Sequence, residues 1–284
     1  MRSLSIPDRE QVREHLITAL EVYRVSGRDR GYAVSPAELD DVLDLYDLYD
    51  AAGGGVGVVL EGGGLADQLR QAIYDAYDFT QVGRKLSFIR AHLMRGVDRC
   101  PVCGISPPRE LDHHLPRSLF RPLAIYVRNL IPMCHDCNHL KNRSASADPN
   151  RAFMHLYFER LPVQLLRVDI DIQNGALLAQ YSVDPAANLS AEARARVGHQ
   201  IERLRLNDRY AREINPYIIS HATAVRMCFE SGGAESVESF LIEQAAVEAG
   251  AFHANHWRPL LLRALANHVG FCSGECSNIF TCVN

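Results

Sequence analysis

Two cysteine pairs set one part of this chain apart: Cys100-Pro-Val-Cys103 and Cys134-His-Asp-Cys137. Two residues lie between the thiols of each pair, and thirty lie between the pairs. That spacing lets a tight knuckle present two sulfurs to one ion, and two knuckles complete the tetrahedral four-thiolate shell of structural zinc. Such a shell has no open position for substrate, so the expected zinc holds the fold together and does no chemistry.

The residues between the knuckles are of another kind. Leu111-Asp112-His113-His114-Leu115-Pro116 is followed by Asn129-Leu130-Ile131-Pro132 and, across the second knuckle, by Cys137-Asn138-His139-Leu140-Lys141. Water attacks a phosphodiester only if a base takes its proton and something neutralises the developing charge. Imidazole titrates near neutral pH and suits the first task. A carboxylate and an amide oxygen suit a hard divalent ion such as Mg2+ for the second. Adjacent side chains on a strand face opposite ways, so only one of His113 and His114 can point at an ion held by Asp112.

The run CPVCG…LDHHLP…NLIPMCHDCNHLK resembles the HNH endonuclease family in its four-cysteine form. The likeness is close from Cys100 to Lys141 and loose beyond. It implies a ββα-metal finger that hydrolyses DNA. His113 would be the general base, with Asp112 and Asn138 as ligands of a catalytic Mg2+ or another divalent ion. Asn129 would fix the loop and the orientation of His113. His114 is then a packing residue or a peripheral phosphate contact, while His135 and His139 face solvent. Arg117, Arg121 and Arg128, in the loop before Asn129, are expected to bind the backbone of the duplex, and Lys141 is a further candidate for phosphate. Similar stand-alone HNH proteins occur in bacterial anti-phage systems, often beside an ATPase of the SMC or ABC type. The resemblance therefore implies a defence role with an ATPase partner.

Elements that position these residues can be read on either side. Val12, Leu16, Ile17, Leu20 and Tyr23 predict an amphipathic helix over 7–27, and a second follows Ser35-Pro36. Residues 51–64 (AAGGGVGVVLEGGG) lack the Gly-Lys-Ser/Thr of a phosphate-binding loop and read as a flexible linker. Helices are expected over 65–79 and 84–96, and Asn174-Gly175 predicts a hairpin of strands 164–172 and 176–183. From Ser190 onward the pattern is helical, with breaks near Ser231–Gly233 and at Gly250. The expected fold is α+β and mainly helical: an N-terminal helical region (1–83), the zinc-stabilised finger (84–145), and a hairpin with a helical C-terminal region (146–284).

The net charge of −4 argues weakly against a nucleic-acid partner, but it conceals a division: 11 Lys+Arg stand against four Asp+Glu from Arg84 to Arg143, a local balance of +7. A basic block in an acidic chain is the footprint of a localised polyanion site. The five aspartates from Asp40 to Asp50 read as a solvated helix face. No apolar run is long enough to span a bilayer, and MRSLSIPDREQ does not read as a signal peptide, so the expected location is the cytoplasm with no membrane partner. Most of the eight cysteines are then thiols or metal ligands. Cys228 is expected to be a buried small hydrophobe. Cys272, Cys276 and Cys282, near His253, His256 and His268, are a conceivable second metal site with no recognisable ligand spacing. The outer helices are candidates for docking a partner or a second copy. The alternative to a nuclease is a catalytically silent zinc module that binds nucleic acid or a partner protein; it needs the cysteines but not Asp112, His113 and Asn138.

Overall fold

In a computed structural model the chain is an α+β protein, about half helical, with short antiparallel sheets. Residues 1–142, 144–173 and 175–275 are described. They divide into two units: Ser3–Val102 with Ser106–Arg160, and Met1–Arg2 and Cys103–Ile105 with the residues from Leu161 onward.

The first unit opens on α1 (Val12–Leu20), which buries Val12, Leu16, Ala19 and Leu20 along one stripe. The helix expected to reach residue 27 stops at Leu20. Ser26 and Gly27 take positive φ, 50° and 77°, and this two-residue turn folds β1 (Tyr23–Val25) onto β2 (Arg28–Arg30), Val25 facing Arg28. Turn chemistry there overrides the helical periodicity. The next helix, α2 (Pro36–Ala51), starts at a capping box in which Ser35 and Glu38 bond each other's backbone N–H, with Pro36 at the first helical position. It buries Leu39, Val42, Leu45, Tyr46 and Tyr49.

The glycine-rich segment differs from the expected linker. It forms a short 3-10 turn, Val58–Glu61, that sinks Leu60 to 2% exposure. Then come α3 (Asp67–Ala76) and α4 (Ser87–Met94). Strand β3 (Glu110–His113) pairs antiparallel with β4 (Leu130–Met133), Asp112 facing Ile131 and His113 facing Leu130, and α5 (His135–Lys141) follows directly. Leu16, Tyr46, Tyr49, Ile73, Leu123, Tyr126 and Leu130 belong to one buried cluster, so the N-terminal helices and the β3–β4 region share a core.

In the second unit β5 (Leu166–Gln173) and β6 (Ala176–Val183) form the expected hairpin, closed with Gln173 opposite Ala176. Gly175 has φ 75°, and Asn174 lies outside the described residues. The helices α6 (Ala191–Arg203), α7 (Leu206–Ile219), α8 (Ala222–Ala251) and α9 (Trp257–Ala266) complete it. The break expected at Ser231–Gly233 is a kink within α8 at Gly232 and Gly233, and Gly250 sits in the last turn of that helix. Among the described residues, no helix is long and apolar enough to cross a membrane.

Candidate active site and metal centre

The ligand atoms of Cys100, Cys103, Cys134 and Cys137 all lie within 4.8 Å of one another, and all four residues are buried. Local chain geometry produces each knuckle. Gly104, at φ 72°, turns the chain after Cys103, and the Ile105 N–H donates to Cys103 Sγ at 3.4 Å. Cys100 N–H closes the same turn on Ser106 O at 2.8 Å. Cys134 caps α5 and Cys137 lies in its first turn. Four convergent thiols fit Zn2+ by donor type and number. Among the described residues no other three His, Cys, Asp or Glu ligand atoms lie within 4.8 Å of one another. Cys272 is buried with its thiol toward the carbonyls of Leu265 and Ala266, and Cys276 and Cys282 lie outside the described residues. Cys228 is only partly buried, against expectation.

Beside β3 and α5 lies a pocket of about 360 Å³, whose lining includes Glu110, Asp112, His113, Asn138, His135 and Arg117. His113, the last residue of β3, lines this pocket together with Asp112; His114, just past the end of the strand, does not, and its ring centroid lies 4.1 Å from that of His155. His113 Nε2 is 2.9 Å from Ala124 O. A carbonyl only accepts, so Nε2 carries the proton and Nδ1 keeps the lone pair. Burial lowers this imidazole's pKa to about 3, so it is neutral at physiological pH.

Asp112 is 6% exposed and forms an ion pair with Lys141, Nζ to Oδ2 at 2.8 Å. Burial raises its pKa above the usual carboxylate range, although Lys141 pulls the other way. Lys141 is itself 2% exposed and also donates to His113 O at 2.7 Å. Two residues before Asp112, and so on the same face of β3, stands Glu110. Asn138 Nδ2 donates to Glu110 Oε2 at 2.5 Å, and His135 Nδ1 lies 2.8 Å from Oε1. The first contact orients the Asn138 amide and leaves its oxygen for a cation. Burial works to raise the Glu110 pKa, but these hydrogen bonds hold it below the ordinary range. Glu110 was absent from the residues expected here. The period-two spacing Glu110-x-Asp112 is the signal that could have found it.

Asn129 is fully buried beneath the strand rather than in the pocket. Its Oδ1 accepts from Leu115 N–H at 2.8 Å and from the Tyr49 hydroxyl at 3.1 Å; its Nδ2 donates to the carbonyls of Leu115 and Leu123 at 3.0 and 3.2 Å. The clamp on Leu123 fixes the chain next to Ala124, whose carbonyl holds His113. Behind Tyr49, His155 Nε2 lies 2.9 Å from the hydroxyl, so residues of α2 and of the segment after the finger support the same loop. No local sequence signal links Tyr49 or His155 to Asn129.

The cations expected to meet nucleic acid separate into two pairs. Arg117 lies between the rings of Tyr74 and Tyr77, 4.6 Å from each centroid, at the edge of the pocket. Arg121 lies 5.9 Å from the Tyr74 centroid. Arg128 instead bonds Asp50 Oδ2 at 2.5 Å and Pro7 O at 2.9 Å, away from the pocket. Lys141 is the buried partner of Asp112 described above. Internal acceptors hold Arg128 and Lys141, and Arg117 too donates to Tyr74 O at 3.3 Å and lies 3.6 Å from Asp78 Oδ1. Asp47 and Asp50 pair with Arg9 as well, so the acidic face of α2 is partly neutralised from within its own unit.

No protein-family model matches the chain, and no solved structure matches it. Among curated proteins it is similar to protein ea31 of Escherichia phage lambda, at 23% identity over 197 residues that make up 64% of this chain. The chain spans 66% of that relative's length.

Proposed function

We propose that this chain is a metal-dependent endonuclease of the HNH type, with β3, β4 and α5 as a ββα-metal finger and DNA phosphodiesters as substrate. The observation that carries the reading is the placement of His113: its Nε2 lies 2.9 Å from Ala124 O, which leaves Nδ1 as the unprotonated nitrogen of a residue lining an open pocket with Asp112 and Asn138. In the reaction Nδ1 takes the proton of an attacking water as the new P–O bond forms and the bond to the leaving oxygen breaks. Asp112 and Asn138 would hold the divalent ion, which supplies charge neutralisation at the leaving oxygen. Arg117, stiffened between two tyrosines, is the residue best set to meet a phosphate. DNA of phage or mobile elements is the substrate the sequence resemblance suggests.

A second reading, a silent zinc module that binds nucleic acid or protein, draws on one observation: Lys141 already balances the Asp112 charge. Nicking of supercoiled plasmid in Mg2+ by the wild-type chain and by His113→Ala separates the two, with zinc content checked in both. The nuclease reading expects nicking that His113→Ala lowers by at least about a hundredfold. Equal rates would defeat it, and duplex binding without nicking by either protein would favour the silent module.

A further inference from the structure

Three side chains that line the pocket, Glu110, His135 and His139, neither take the water's proton nor hold the ion in the hydrolytic scheme, although Glu110 orients Asn138. His135 and His139 stand one turn apart on α5, so both project from one face of the helix. Their rings are nearly parallel, 20° between planes, with centroids 5.9 Å apart. Glu110 faces them from β3, its Oε1 2.8 Å from His135 Nδ1. A solvent-facing histidine needs no carboxylate partner, and an ion held by Asp112 and Asn138 needs no imidazole.

We propose that Glu110, His135 and His139 form a seat for one borderline divalent ion of the Mn2+, Co2+, Ni2+ or Zn2+ class, distinct in its ligands from the four-cysteine cluster. Two histidines at i and i+4 with a carboxylate opposite are the donor set such ions favour, whereas Mg2+ prefers oxygen alone. The geometry between Glu110 and His135 fits. Metal bonds of about 2.1 Å to nitrogen and oxygen at a right angle place the two ligand atoms about 3.0 Å apart. The observed 2.8 Å is nearly that edge, so an ion can replace the proton now shared by Nδ1 and Oε1 with a shift of a few tenths of an ångström. The His139 ring centroid lies 5.9 Å from that of His135, so this exposed ring must rotate to supply the second nitrogen. Charge favours this side of the pocket too. Asp112 is 8% exposed in its side chain and balanced by Lys141, while the Glu110 side chain is 34% exposed. The seat stands whether or not the chain cuts DNA.

The test uses the full, tag-free chain with one zinc per chain confirmed by elemental analysis. Ni2+ is titrated calorimetrically, and Mn2+ is followed by pulsed electron paramagnetic resonance. One Ni2+ is expected in addition to the retained zinc, with nitrogen coupling on the bound Mn2+. His135→Gln and His139→Gln should each weaken Ni2+ at least tenfold and lose the nitrogen signal. Glu110→Gln, which keeps the hydrogen-bonding shape, should weaken it similarly, while Asp112→Asn should change it less than threefold. Failure of the zinc-loaded chain to bind Ni2+, or unchanged affinity in the His135→Gln/His139→Gln double variant, overturns the seat. The plasmid assay of His113→Ala is independent of either result.

Discussion

Replacing Asn129 with alanine tests whether this residue acts through the backbone rather than in the pocket. The change removes four hydrogen bonds at a site of zero exposure: those with Leu115 N–H, Leu115 O, Leu123 O and the Tyr49 hydroxyl. A buried donor left without an acceptor costs about 1–3 kcal/mol. The two carbonyls and the hydroxyl add less, because the hydroxyl keeps His155 within reach. A loss of about 3–4 kcal/mol follows for the loop. Because the chain has two units, a global unfolding transition would mix their contributions, so the sharper assay is hydrogen exchange at Leu115 N–H. Its protection should fall by a factor on the order of 100 to 1,000, with zinc content unchanged. Tyr49→Phe removes one of the four bonds and should lower protection by about tenfold at most. Protection of Leu115 within threefold of wild type in Asn129→Ala would refute the clamp, and with it the path from Asn129 through Leu123 and Ala124 to His113.

Elemental analysis should find one zinc per chain, and Cys134→Ala or a strong chelator should release it and unfold the β3–β4–α5 region, seen as lost exchange protection there. Acid should destabilise the first unit: His113 and His155 both have pKa values lowered by burial to about 3, so the unfolded chain binds protons below about pH 6.5 that the folded chain refuses. Stability present at pH 7 is then lost as pH falls from about 6.5 toward 3, at most about 1.4 kcal/mol per pH unit for each histidine, and His155→Gln should flatten the urea-midpoint profile. Arg128→Ala breaks the half-buried pair with Asp50 and should cost about 2 kcal/mol without altering DNA affinity. Arg117→Ala should do the reverse, lowering the salt slope of duplex binding by about one; equal salt slopes in both variants would remove Arg117 from the interface.

What could be read from the sequence was whatever short-range spacing controls. The two CxxC pairs, the capped start of α2 and the Asn174-Gly175 hairpin all depend on neighbours within a few residues, and the four cysteines converge as expected. His113 lines the pocket and His114 does not, although alternation alone would have grouped His114 with Glu110 and Asp112; β3 ends at His113. Where two local signals competed, the shorter-range one prevailed: Ser26-Gly27 turned the chain although Val12 to Tyr23 kept helical spacing. Partners distant in sequence could not be read. Nothing near Asp112 announces that Lys141 will be buried against it, and nothing near Asn129 points to Tyr49, 80 residues earlier. The arginines show the same limit. Arg117 and Arg128 look alike in sequence, and the positions of Tyr74, Tyr77 and Asp50 give them different surroundings.

Glu110 and Asp112 share a strand face and a pocket, yet their pKa values move in opposite directions. Burial pushes Asp112 toward its neutral form more strongly than Lys141 restrains it, whereas hydrogen bonds from Asn138 and His135 overcome the burial of Glu110. A cation ligand must be ionised, so Asp112 depends on a neighbouring positive charge in a way Glu110 does not. Lys141 meets that need at 2.8 Å, and its anchor on His113 O keeps it there. A phosphate contact would require an exposed ammonium; support of a buried aspartate requires the 2% exposure observed. The basic residue that ends the motif is therefore the buried counter-charge of Asp112.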